Sequence, residues 1–207
     1  SVGTQLWADK LLTTFPADHV AIVPVSYAGV FPPDTVGILM EAFGTCETDL
    51  VPPELVDQCK SGSLEVSSIV EKHIEKYPQY PFAYIQSKID AVQQSFYVAL
   101  GLTFRNASAV ITPSRFYDKV NDIFGKYNSR PNFLTFLVNG PMHCFTPMDI
   151  MYDTTTAGPY GERDRRKTYS LTHWLQSYPM KEGDKQDTQC FSPSAADLAD
   201  NHDNRID

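Results

Sequence analysis

The sequence has no apolar run approaching membrane-spanning length, so nothing in it anchors the chain in a bilayer. It has no surplus of positive charge either. Its 17 Lys and Arg against 25 Asp and Glu give a net charge of -8 and a pI near 5.0, whereas a nucleic-acid binder presents a basic face. There are only four cysteines, Cys46, Cys59, Cys144 and Cys190, and they stand too far apart for a zinc knuckle. No metal and no cofactor is expected, and there is no internal repeat. The chain opens at Ser1 with neither an initiator Met nor a signal peptide, which leads to the expectation of a processed product or a fragment. G-x-S-x-G, the strand-to-helix turn that carries the nucleophile of α/β hydrolases, occurs nowhere.

What is present describes a globular chain. At 207 residues there is enough sequence for one well-buried domain, and the 42% hydrophobic and 20% charged fractions are globular values. The most telling stretch is Asn132–Cys144, N-F-L-T-F-L-V-N-G-P-M-H-C. Phe133–Val138 is nearly all apolar, as suits a strand covered on both faces, and Asn139-Gly140-Pro141 ends it. His143 follows at the mouth of the sheet, where open α/β folds keep their chemistry. The plain alternative is a loop histidine with a satisfied ring.

Taken in order, Thr4–Phe15 is expected as a helix, with Trp7, Leu11 and Phe15 at helical spacing and Pro16 closing it. Val20–Ser26 reads as a strand with Pro24 as its awkward member. A long Gly-, Pro- and acid-rich insertion follows, with a short helix around Thr35–Phe43. Leu64–Tyr77 is an amphipathic helix whose apolar stripe includes His73, read as a packed histidine. Phe82–Gln86 is the next strand, and helix Ala91–Leu100 comes after Asp90. Asp90 therefore stands just past a strand end, as His143 does, although Asp is also a good N-cap. Thr112-Pro113 starts a further helix, Ser170–Tyr178 reads as the closing helix, and residues 191–207 read as a polar, disordered tail. This order predicts an α/β fold with a parallel sheet.

The cysteines fit two disulfides in an oxidising compartment. Of the three possible connectivities, Cys46–Cys59 with Cys144–Cys190 is preferred, because the first pair brackets one Pro-rich loop. Four reduced, buried thiols are the alternative. A glycosylation sequon at Asn106 points the same way, although such triplets are common by chance.

An Asp after one strand and a His after the next form the second half of a hydrolase triad, in which the order is Ser, then Asp or Glu, then His. An imidazole must take the proton of a serine hydroxyl that is otherwise a weak nucleophile, and a carboxylate must fix the imidazole tautomer. Asp90 and His143 have the right types in the right order. The only Gly-Ser pair, Gly62-Ser63, follows no strand. Were the first helix the one that follows a nucleophile elbow, the serine would lie just before Ser1.

Four segments, S-V-G-T-Q-L-W-A-D-K, S-Y-A-G-V-F, S-K-I-D-A-V-Q-Q-S-F and V-N-G-P-M-H-C-F, resemble the pectin acetylesterase family, which includes the Notum-type carboxylesterases. The resemblance covers Ser1 to about Cys190 in scattered blocks. It implies the carboxyl-terminal part of one α/β-hydrolase domain over residues 1–190. The strands before and at the nucleophile elbow would be missing, and the lost strand would lie between those that remain. Asp9 matches the Asp on the helix that follows the family's G-x-S-A-G, which places the serine about three residues before Ser1. Asp90 matches the triad acid and His143, with Cys144 after it, the base. Trp174-Leu175 to Cys190 looks like the family's carboxyl end. Members often carry Asp-Ser where this chain has Val25-Ser26.

The resemblance implies a secreted, monomeric esterase that removes acetyl groups from cell-wall pectin, an acetylated polysaccharide, through an acyl-enzyme. The negative charge suits a polyanionic substrate poorly. Arg163, Arg165, Arg166 and Lys167 could form a local basic edge, though a solvated loop is the favoured reading of that run. The alternative is a non-catalytic secreted binding protein on a degraded hydrolase scaffold, and the missing nucleophile supports it. The isolated chain is expected to be inactive.

Overall fold

The computed structural model of the protein describes residues 2–15, 20–104, 110–156 and 170–176. Asn106, the basic run at 163–167, Cys190 and the tail at 191–207 lie outside the described residues.

Two strands run parallel and side by side, β1 (Phe82–Ser87) and β2 (Phe133–Val138), paired from Phe82 opposite Phe133 to Ser87 opposite Val138. Their apolar runs reflect cover on both faces. One face carries Phe82, Tyr84 and Phe133, packed against Phe116, Val120, Phe124 and Tyr127 of α7 (Pro113–Tyr127). The ring of Tyr84 meets those of Phe124 and Phe133 at 5.3 and 5.6 Å. The other face carries Ala83, Ile85, Leu134, Phe136 and Val138 under Phe145, Leu171 and Trp174. Strict alternation of side chains along each strand divides the residues between the two layers.

A third segment joins this sheet without becoming a regular strand. Ile22 bridges Phe82 and Val25 bridges Ile85, both in parallel sense. Ile22 N–H donates to Pro81 O, Ala83 N–H to Ile22 O, Ile85 N–H to Pro24 O and Ser26 N–H to Ile85 O. Backbone groups of residues 22, 24 and 26 thus face β1. Pro24 sits at one of these inward positions and has no N–H to give, which breaks the ladder in the middle. The expected strand is there in course and direction, but Pro24 reduces it to two bridges.

The order across the sheet is therefore 20–26, β1, β2, with each neighbour hydrogen-bonded to the next. This corrects the expectation of a missing strand between those that remain. These three leave no gap, and a further strand on this side would have to join the outer edge of 20–26.

The opening helix comes in two pieces, α1 (Val2–Leu6) and α2 (Ala8–Thr14). They meet at Trp7, where the Gln5 carbonyl receives the ring nitrogen Nδ1 of His73 at 3.1 Å. In an unbroken helix that carbonyl would serve the N–H of residue 9. The apolar stripe marked by Trp7, Leu11 and Phe15 is not the buried one: these are 51%, 38% and 66% exposed, while Ala8 and Leu12 enter the core. His73, on α5 (Val66–Lys76), is buried and packed as expected.

Between the 20–26 segment and α5 lie α3 (Val36–Ala42), two short 3-10 turns and α4 (Val56–Lys60). Cys46 is bonded to Cys59 inside a small core of Met40, Val51, Leu55, Leu64 and Ile69. Gly37 on α3 lies against the backbone of Gly62, so close that a Cβ would meet the Gly62 carbonyl oxygen at 2.2 Å. Cys144 is free and exposed among the described residues, and Cys190, its expected partner, lies outside them. Helix α6 (Ala91–Thr103) and α7 together make the crossover from β1 to β2 that parallel strands require. Thr112 caps α7 by accepting from Arg115 N–H, with Pro113 in the first turn, as the sequence indicates. The last described helix, α8 (Leu171–Gln176), lies within the expected Ser170–Tyr178, of which residues 177–178 are outside the described residues. No helix among the described residues is long and apolar enough to cross a membrane.

Candidate active site

Because the three sheet segments run in the same direction, their carboxyl ends open on one rim, and three loops leave it together. The loops after β1 and β2 are tied backbone to backbone: Lys88 N–H donates to Val138 O at 2.9 Å and Ala91 N–H to Pro141 O at 3.0 Å. Gly140 supplies the turn with φ of +107°, a conformation that costs glycine little. Phe145, fully buried, pins the far side of the second loop into the core.

This geometry brings Asp90 and His143 into contact. Nδ1 of His143 lies 2.9 Å from Oδ1 and 2.8 Å from Oδ2 of Asp90. The carboxylate is wholly buried, whereas the imidazole side chain keeps 27% of its surface. Asp90 also caps α6, accepting from Gln93 N–H at 2.9 Å. The capping and the triad readings are thus both fulfilled by one carboxylate.

With Nδ1–H donating to the carboxylate, the neutral ring has its free lone pair on Nε2. Among the described residues nothing bonds Nε2. The pair is therefore arranged as an oriented base with an open acceptor, which is the relation of acid to base in hydrolytic triads. The described residues include no cluster of His, Cys, Asp and Glu that could hold a metal.

Two residues at this rim are not evident from the sequence pattern. Gln93 is buried and donates its Nε2 to Asp90 Oδ2 and to Gln86 Oε1, each at 3.0 Å, while its Oε1 accepts from Ala28 N–H at 3.1 Å. The available signal is D-A-V-Q, a cap residue followed three positions later by Gln, which has the spacing of a capping box. Ser26, buried and at a φ of +53°, accepts through Oγ from Cys144 N–H at 2.8 Å. It holds the residue after His143, which itself has a positive φ of 50°. This bond joins two residues in conformations that non-glycine residues adopt rarely.

A cleft of about 380 Å³ lies elsewhere, between the Gly29–Val36 stretch, Gly62–Ser67 and α7, and neither Asp90 nor His143 lines it. Asp9 is likewise engaged away from the rim, accepting from Lys76 and from the Tyr77 hydroxyl. Comparison with protein-family models, with curated proteins and with solved structures finds no match for this chain.

Proposed function

We propose that residues 1–190 supply the acid and base of a serine-type carboxylic ester hydrolase of α/β-hydrolase type, with acetylated pectin as substrate. The observation that supports this reading is the contact of the buried Asp90 carboxylate with Nδ1 of a partly exposed His143, at the ends of adjacent parallel strands. In this reading the serine comes from outside residues 1–207. His143 Nε2 takes its hydroxyl proton as the oxygen attacks the acetyl carbonyl, then returns that proton to the departing sugar oxygen. Water, deprotonated by the same nitrogen, releases acetate from the acyl-enzyme. Asp90 stabilises the imidazolium in both halves. Secretion to the cell wall accords with the Cys46–Cys59 bond, since such bridges belong to oxidising compartments.

The second reading, a non-catalytic secreted binding protein on this scaffold, draws on the absence of G-x-S-x-G from the 207 residues. Reading the coding sequence upstream of Ser1 separates the two, since only the esterase reading expects a strand followed by G-x-S-A-G there. The catalytic test is turnover of p-nitrophenyl acetate by the chain extended through that segment. His143→Ala should lower it by about 10⁶-fold, and residues 1–207 alone should stay at background. An extended protein indifferent to His143→Ala would refute the esterase reading. Turnover by 1–207 alone that His143→Ala abolishes would place a nucleophile on this chain and overturn the assignment of the serine.

A further inference from the structure

The carboxylate of Asp90 accepts from three donors, and two of them belong to one residue. Gln93 gives its backbone N–H to Oδ1 and its side-chain Nε2 to Oδ2. The same carboxamide reaches across to the neighbouring segment, where Oε1 receives Ala28 N–H. Gln86 Oε1 takes the other Nε2 hydrogen, and Gln86 is fixed in turn by donating its own Nε2 to Ser87 O at 2.7 Å. Gln86, Asp90 and Gln93 are all buried. Every hydrogen-bonding site of the Gln93 amide that this arrangement uses is thus committed, and the direction of the amide is dictated from both ends. A reversed amide would set its oxygen against Asp90 Oδ2 and Gln86 Oε1 and its NH₂ against Ala28 N–H.

We infer that Gln93 is a positioning residue, which holds the Asp90 carboxylate turned toward Nδ1 of His143 and sets that ring in its Nδ1–H form. The inference rests on the reading of Asp90 and His143 as acid and base. A capped helix start would need only the backbone bond from Gln93 N–H to Oδ1. The side-chain bond to Oδ2 adds nothing to the cap. It removes the rotation that would swing the second carboxylate oxygen away from the ring, and it gives that oxygen a second donor besides Nδ1–H. This is the outer-layer arrangement that fixes histidine tautomers elsewhere, with an amide in the supporting role.

The test reads the ring itself. In the chain labelled with nitrogen-15 histidine, two-dimensional NMR distinguishes the Nδ1–H from the Nε2–H form of neutral His143. The unaltered chain should show Nδ1–H as the major form. Gln93→Met removes the donor at nearly constant volume, and Nε2–H should then become the major form. Should that variant not fold, Gln93→Asn draws the amide back by one methylene, so that it cannot span Asp90 and Ala28, and the same loss of Nδ1–H is expected. A folded variant that keeps Nδ1–H as the major form, whatever its melting temperature, makes Gln93 a structural residue only and overturns the inference. No substrate enters this measurement. A failure here leaves the esterase reading standing, and an esterase without dependence on His143 would leave the tautomer result untouched.

Discussion

Replacing Asp90 by Asn separates the two roles that meet in this carboxylate. Asn and Asp are nearly equal as N-caps, so if capping were all that Asp90 did, the exchange would leave stability within about 0.5 kcal/mol of the parent. Three donors converge on it, however: Gln93 N–H at 2.9 Å, Gln93 Nε2 at 3.0 Å and His143 Nδ1 at 2.8 Å. A carboxamide has one oxygen to offer. With that oxygen kept on the cap, its NH₂ faces two further donors. Bonds to a charged group contribute about 1.5–3 kcal/mol each. The imidazole can recover by changing tautomer, Gln93 keeps Gln86, and losing the buried charge also removes its desolvation cost. The net loss is then about one such bond, roughly 2 kcal/mol. In urea, with a slope of about 2 kcal/mol per molar, the unfolding midpoint should fall by about 1 M. Trp174, buried against Phe136, provides the fluorescence signal. A fall of less than about 0.25 M with an unchanged slope would refute the argument, because Asp90 would then be a cap and no more.

Two further outcomes follow from other parts of the molecule. Changing Cys46 and Cys59 together to Ala opens a loop of 13 residues and empties two core positions, and should cost about 3 kcal/mol in urea unfolding; a loss under about 1 kcal/mol would show that the bond carries little of the insertion's stability. Stability should also fall with acid in two stages. Burial, the largest influence on His73, holds its pKa below the ordinary value despite nearby Asp9 and the Gln5 carbonyl. The unfolded chain therefore takes that proton first, and stability is full above about pH 6.5 and declines below it. For Asp9, burial pulls the carboxyl up, but the bonds from Lys76 and Tyr77 outweigh it and leave the pKa lowered. Its contribution is present above about pH 3.9 and is lost as pH falls through the folded value. Melting temperatures followed from about pH 8 to pH 3 check both, and a His73→Gln variant that keeps the upper decline would show that another group causes it.

Much of this was legible from pattern. Phe133–Val138 is legible to the residue because cover on both faces leaves a solid apolar run, which a surface helix or a half-exposed strand does not produce. Asp90 and His143 were legible from position, since each stands just past a strand end. The Trp7, Leu11 and Phe15 stripe was legible as a helix but not as a surface, because periodicity reports spacing and not which neighbour arrives. Pro24 marked a weakness whose consequence needed the direction of its missing N–H. Gln93 and Ser26 were hidden for a different reason. Their roles are contacts with Ala28 and Cys144, which lie 65 and 118 residues away in the chain, and no local pattern encodes such a partner. The bond of Cys46 to Cys59 was legible because both ends lie in one loop.

The position of Pro24 has one more result. Its ring replaces a donor on the side that already has a neighbour, so the gap falls where β1 cannot use it, and the opposite side of the segment is left whole. Backbone groups of alternate residues point to opposite sides of an extended chain, so Val23 and Val25 turn theirs away from β1. Among the described residues, Val23 makes no backbone hydrogen bond there. A proline one position earlier or later would have blunted that outer side, as prolines on exposed edges commonly do. As it stands, the segment is weakly held within its own sheet and fully able to hold another strand. The donor that Pro24 lacks is thus missing from the pairing with β1, while Ser26 N–H beyond it still reaches Ile85 O.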